Sequence, residues 1–174
     1  MQTLHGKKIR LRAIEPEDLE FLFSIENNES FWEVSHTQAP FSKFLLKKYI
    51  ANCHLDIYES KQLRLLVEDI QNNPVGLIDL FDFNPQHKRA GIGIVIASKY
   101  QNNGYASEAL ELLINYSFLH LQLHQLYANI TSDNSSSIVL FEKKSFKKIG
   151  VKKDWILSKG IFKNEVLFQL INEK

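Results

Sequence analysis

Residues 90–121 carry the longest ordered pattern in the chain: an apolar run, a polar loop and a stretch of helical periodicity in direct succession. Ala90-Gly-Ile-Gly-Ile-Val-Ile-Ala97 is rich in β-branched residues and reads as a strand. Tyr100-Gln-Asn-Asn-Gly-Tyr-Ala106 is a loop of turn-forming residues, and apolar positions at helical spacing predict a helix over 107–121. Upstream, Lys8-Ile-Arg-Leu-Arg-Ala13 alternates as a half-buried strand does. Glu15-Pro16-Glu17-Asp18 opens a helix that Leu19, Leu22 and Ile25 continue to Asn27-Asn28. Residues 30–40 predict a loop or short helix, and Ser42 caps a second helix running towards Tyr58. Strands at 63–68 and 75–82, with turns at 71–74 and 84–87, make a meander with 90–97. A strand at 125–131, a short helix capped by Asp133-Asn134 and a hairpin about Lys159-Gly160 complete the chain. This order predicts a mixed α/β fold, one domain over 1–174, with helices on both faces of a mixed sheet.

Composition narrows the class without naming it. An apolar content of 44% in 174 residues suffices for one sizeable core. A formal net charge of +1 argues against bulk attraction to nucleic acid or an anionic membrane. No apolar run approaches the roughly 20 residues that span a bilayer, and the start has no signal-peptide core. A single cysteine, Cys53, permits no internal disulfide and fits a reducing, cytoplasmic setting.

The loop at 101–106 is where chemistry first shows. A helix N-terminus directs unpaired N–H groups at one point with the dipole behind them, which suits phosphate. Gly91-x-Gly93 lies inside a strand and is no dinucleotide fingerprint, and no glycine-rich loop ends in Lys-Ser or Lys-Thr. The loop does not stand alone. Ile9-Arg-Leu-Arg-Ala-Ile-Glu-Pro-Glu-Asp-Leu19, Gly76-Leu-Ile-Asp-Leu-Phe-Asp-Phe-Asn84 with His87-Lys-Arg-Ala90, Gln101-x-x-Gly104-x-Ala106, and Asn134 with Leu140-Phe-Glu-Lys-Lys-Ser-Phe146 follow in order. In these motifs nearly the whole chain resembles the GNAT superfamily of acyl-CoA-dependent N-acetyltransferases, in its ribosomal-protein and spermidine or diamine branches.

The resemblance implies a GNAT-type fold whose sheet parts between the strands at 90–97 and 125–131 to admit acetyl-CoA as co-substrate, with no metal. It implies that the backbone of Ile94, Val95 and Ile96 pairs with the pantetheine arm, and that an N–H near Ile96 stabilises the oxyanion. By the same resemblance Gln101, Asn102, Asn103, Gly104, Tyr105 and Ala106 cradle the pyrophosphate and Asn134 contacts the pantetheine, with Phe141 and Lys143 at the coenzyme end. Phe141 stands where many relatives carry a proton-donating tyrosine; Tyr105 and Tyr127 are the remaining hydroxyls for that task. Ser145 stands where a glycine is usual.

An alkyl ammonium of pKa near 10.4 must lose its proton before it attacks a thioester. Asp79 is the expected base, acting through water, with Asp82 as a second substrate-binding acid. Three positions apart, they point to opposite faces unless a bulge intervenes. Glu29, Trp32 and Glu33 are candidate walls of the acceptor pocket. Gly91 and His36-Thr-Gln-Ala-Pro40 replace acidic residues of spermidine acetyltransferases. His120 and His124 have the spacing of a helical metal pair but lack a third ligand. The acceptor stays open at this point between a small amine and a protein N-terminus, as does a non-catalytic acyl-CoA sensor. The resemblance also implies a homodimer or larger homo-oligomer.

Overall fold

The structure, a computed structural model, describes residues 4–53 and 55–173. Its strands are β1 (Ile9–Arg12), β2 (Leu63–Asp69), β3 (Pro74–Asn84), β4 (Arg89–Ile96), β5 (Gln125–Thr131), β6 (Lys147–Ser158) and β7 (Ile161–Ile171). The helices are α1 (Leu19–Glu26), α2 (Glu29–Ser35), α3 (Lys43–Ala51), α4 (Ile57–Ser60), α5 (Tyr105–Leu119) and α6 (Ser135–Lys143). The strands form one sheet in the order β1-β2-β3-β4-β5-β7-β6. Every neighbouring pair is antiparallel except β4 and β5, which run parallel. That pair needs a crossover, and α5 supplies it.

Alternation along the strands sorts the apolar residues into two cores. On one face Ile78, Leu80, Ile92 and Leu126 meet Leu110 and Leu113 of α5 and Phe141 of α6. On the other, Leu66 and Leu77 meet Leu22 and Ile25 of α1 and Leu46 of α3. Each such buried leucine contributes about 2 kcal/mol of transfer free energy. The predicted mixed architecture, with helices on both faces, is the observed one.

The differences from expectation are local and have local causes. The helix predicted over 107–121 begins at Tyr105, because Gly104 takes φ 81 and serves as its N-cap. The helix predicted to run from Ser42 towards Tyr58 ends at Ala51; Asp56 then accepts hydrogen bonds from Tyr58 N and Glu59 N to start a separate turn. Within 30–40 the chain forms α2, opened by the Asn28 side chain and closed by His36 at φ 56.

Two irregularities position the site. First, β4 and β5 pair only at Arg89↔Gln125, Ala90↔Leu126 and Gly91↔Tyr127, after which they part. Second, the β3–β4 register passes from Phe81↔Gly91 to Asn84↔Arg89, so Asp82 and Phe83 together face the single residue Ala90. Asp82 is the bulged residue, at φ 48. The bulge reverses the phase of β3, so that Phe83 turns into the core beside Leu80 and Asp82 turns to the opposite face.

Candidate active site

Beyond Gly91 and Tyr127 the gap between β4 and β5 is lined by Ile92, Gly93 and Ile94 on one side and Ala128 to Thr131 on the other. Asn134, Ser137 and Phe141 of the α6 segment border it, and Glu33, Val34 and His36 reach over it from α2. The Ala97 N–H donates to the Val75 carbonyl of β3 at 2.9 Å, which fixes the alternation of β4. The peptide groups of Gly93 and Val95 therefore face β3, and those of Ile92, Ile94 and Ile96 face the gap. The Val95 carbonyl indeed lies against Gly76 of β3. This corrects the expectation for Val95, whose backbone is engaged within the sheet, while the Ile94 peptide groups and the Ile96 N–H face the gap. The Ile96 carbonyl already accepts the Gln101 side-chain amide at 3.1 Å.

At the mouth of the gap the loop is shaped by its own side chains. Asn103 donates to the carbonyls of Tyr100 and Gln101 at 3.0 and 3.1 Å. Asn102 at φ 62 and Gly104 at φ 81 turn the backbone left-handed. The first turn of α5 then presents the N–H groups of Tyr105, Ala106 and Ser107 without intrahelical acceptors. A bound phosphate would supply both charge and acceptors here. The structure adds a residue that the sequence did not point to: Lys8, whose ammonium donates to the Asn103 carbonyl at 3.2 Å. Glu108 holds it there by accepting the Lys8 N–H at 3.0 Å. No spacing rule exposes a contact between residues so far apart in sequence. Lys143 is exposed on α6.

Asn134 caps α6, its carboxamide oxygen accepting from Ser137 N at 3.2 Å, which leaves its NH₂ group available to the gap. Phe141 lines the gap and packs edge-on against Phe146 at 5.0 Å. Parted strands, inward amides, an α6 carboxamide and a left-handed loop at the mouth fit an amide-containing arm that ends in phosphates.

The carboxylates expected to meet the acceptor, Asp79 and Asp82, lie on the α1–α3 face, Asp82 at the closed end of the gap. The bulge that the spacing left open is present, and Asp79 and Asp82 both sit on this face. Asp79 is not free to act as a base, since Arg64 grips both its oxygens at 2.5 and 3.3 Å and also binds Glu26 at 2.6 Å. Asp82, by contrast, accepts the Tyr127 hydroxyl at 3.1 Å. Burial and the neighbouring Asp82 push the Tyr127 phenol up to about 12, so it holds its proton at neutral pH. The Tyr127 ring meets Phe81 edge-on at 5.7 Å. Of the α2 residues, Glu33 reaches the gap and is tied to Lys163 at 2.8 Å and to Ser158. The Trp32 indole instead donates to the Glu26 carbonyl at 2.9 Å, and Glu29 lies exposed at the start of the helix.

Other groups fall outside this arrangement. His120 ends α5 and stacks on Tyr116 at 4.9 Å, while His124 lies beyond the helix, so the two share no helical face. Among the described residues no cluster of three or more metal-ligating side chains occurs, and no helix is long and apolar enough to cross a membrane. A larger hollow between α1 and α3, lined by Ile14, Leu19, Lys47 and Ile50, contains none of the groups above.

Comparison with known proteins identifies the family. The Acetyltransferase (GNAT) domain family matches residues 8–147. The chain is 32% identical over 148 residues to a spermidine N(1)-acetyltransferase of Vibrio cholerae, covering 83% of this chain and 82% of that one. It is 28% identical over 169 residues to the Escherichia coli protein of the same name, covering 95% and 86%. A crystal structure of the Vibrio cholerae spermidine N-acetyltransferase with CoA and spermine matches with a TM-score of 0.87 at 26% identity, over 95% of this chain and 96% of that one. A dodecameric structure of the Vibrio cholerae enzyme matches at 0.80 and 28% identity, over 95% of each chain. The fold is thus shared along nearly the whole chain, and the protein belongs to the GNAT family as an acetyl-CoA-dependent N-acetyltransferase.

Proposed function

We propose that the protein transfers the acetyl group of acetyl-CoA to a primary amine of a small aliphatic molecule of the polyamine and diamine kind. The observation that carries this reading is the Asp82–Tyr127 pair at the closed end of the β4–β5 gap, a carboxylate beside aromatic rings where the acceptor must meet the thioester. The substrates named for the relatives support the class of acceptor.

In this mechanism Asp82 draws the substrate ammonium in, and the rings of Phe81 and Tyr127 remove water from it, which favours the neutral amine. The ammonium gives its proton to Asp82 or to a water beside it. The amine lone pair forms the C–N bond to the thioester carbonyl carbon, and the N–H of Ile94, nearer the closed end than that of Ile96, receives the charge that develops on oxygen. The C–S bond breaks, and the sulfur leaves as thiolate or takes a proton from Tyr127, since Phe141 has none to give. Lys8, Gln101 and the opening of α5 hold the phosphates.

We also read the protein as a cytoplasmic homo-oligomer. The exposed Cys53 suits a reducing compartment. The dodecamer formed by a relative and the exposed apolar side chains on the β6–β7 hairpin support self-association.

Acetyl-CoA at about 100-fold over its Kd should add about 2.7 kcal/mol of stability in a thermal-shift assay. Thiol release should then depend on an added aliphatic amine. No shift removes the coenzyme site; a shift without thiol release on any amine removes the transferase reading.

A further inference from the structure

The segment ahead of β1 passes beside the phosphate loop, and one side chain of α5 fixes it there. β1 is the edge strand of the sheet. Just before it, the N–H groups of Lys7 and Lys8 both donate to a single oxygen of Glu108, that of Lys8 at 3.0 Å. Gly6 permits this approach, since a Cβ there would overlap the same carboxylate oxygen. The Gly6 N–H closes the turn by donating to the Ile9 carbonyl at 2.8 Å. Glu108 lies in the first turn of α5, where the helix dipole favours a carboxylate.

The result is the placement of Lys8. Its ammonium donates to the Asn103 carbonyl at 3.2 Å and lies 3.4 Å from where a Cβ on Gly104 would stand. Gly104 is the N-cap of α5, so this charge sits beside the N–H groups that open the helix. One of the three ammonium protons is on Asn103, which leaves two for an anion. Glu108 engages the Lys8 backbone and not its ammonium, so the positive charge is not spent on the carboxylate. A lysine on a loose backbone would give up both chain and rotamer freedom each time it met a phosphate; a fixed backbone removes the first of these losses.

We propose that Lys8 and Glu108 act as one unit in recognising the pyrophosphate of the coenzyme, Lys8 as its charged ligand and Glu108 as the positioning residue that acts through Lys8. This rests on the coenzyme site described above. Glu108 is itself an anion near the phosphates, so its charge opposes binding while its hydrogen bonds favour it. Two substitutions separate these contributions. Glutamine keeps an oxygen for the Lys7 and Lys8 N–H groups and removes the charge, whereas alanine removes both.

Calorimetric titration of the full chain with CoA and with 3′-dephospho-CoA tests the proposal. Lys8→Gln should weaken both ligands alike, by about fivefold or more. Parent affinity in Lys8→Gln overturns the proposal, and a loss confined to CoA overturns the pyrophosphate assignment in favour of the 3′-phosphate. Glu108→Ala should weaken CoA comparably, while Glu108→Gln should bind it as tightly as the parent or more tightly. Lys8→Gln combined with Glu108→Ala should bind no more weakly than Lys8→Gln alone, because Glu108 acts through the lysine. Parent affinity in Glu108→Ala, a Glu108→Gln protein as weak as Glu108→Ala, or additive losses in the double variant each overturn the role of Glu108. A parent protein that binds neither ligand removes the coenzyme site itself, and this proposal with it.

Discussion

The proposed role of Tyr127 rests on one hydroxyl, which donates to Asp82. The phenol is the hydrogen-bond donor that this face of the closed end presents, and its elevation to about 12 keeps it protonated throughout the working range. Tyr127→Phe leaves the ring contact with Phe81 in place and removes the proton. Its expected outcome is a fall in kcat of about 10²-fold with little change in KM for acetyl-CoA, measured by thiol release. An unchanged kcat would show that the thiolate leaves without help from this group. Residues of this kind were partly legible beforehand. Tyr127, Asp82, Asn134 and the loop are candidates in the sequence because their chemistry or motif is local, and the structure sets them along the gap between β4 and β5. The engagement of Asp79 was not legible, because Arg64 lies on the neighbouring strand and strand register is a tertiary property. Lys8 was hidden for the same reason.

Among the elements, α2 most clearly depends on long-range electrostatics. It contributes no fully buried residue, and Glu33 joins it to the β6–β7 hairpin through Lys163 and Ser158. Hydrogen bonds from Lys163 and then Ser158 hold the Glu33 carboxyl below its ordinary value of 4.5. A depressed folded-state pKa means that this tether is intact at neutral pH. It weakens as pH falls from about 4.5 through the depressed value. Hydrogen exchange of the α2 amides, corrected for intrinsic rate, should accelerate across that interval. In Glu33→Gln the same amides should exchange fast already at pH 7, with no further step. The sequence located the helix only as one of two alternatives for 30–40. Its short length and exposed face leave little periodicity to read, whereas the Asn28 cap and the left-handed His36 set its limits.

For the molecule as a whole, the β6–β7 hairpin stands out. Trp155, Leu157, Ile161 and Phe162 are between 59% and 67% exposed, near the end of the sheet farthest from β1. The outer strand β6 also carries Lys147, Lys148, Lys152 and Lys153, which oppose direct edge-to-edge pairing. Self-association is therefore expected through the apolar side chains of the hairpin rather than through its edge. Sedimentation equilibrium should report a multiple of the 20.2 kDa chain. Leu157→Lys with Phe162→Lys should lower that mass towards one chain while the thermal shift with acetyl-CoA persists. A wild-type protein that sediments as a single chain at micromolar concentration would sink this view. The order of strands and helices was readable from periodicity, since each element is amphipathic by itself. The parting of β4 from β5 was implied by likeness to a family and has no signature in hydrophobic pattern, because unpaired peptide groups are the same in every residue.

The bulge in β3 sets acceptor chemistry apart from core integrity. Asp82 is an extra residue, added where Phe83 alone would face Ala90 in regular pairing. Loss of that single codon would delete the acid and leave Phe83 opposite Ala90, in phase with Leu80 and still in the core. Position 82 can therefore be substituted or lost without rotating the rest of the strand, which makes it a place where the acceptor end can diverge while the fold is kept.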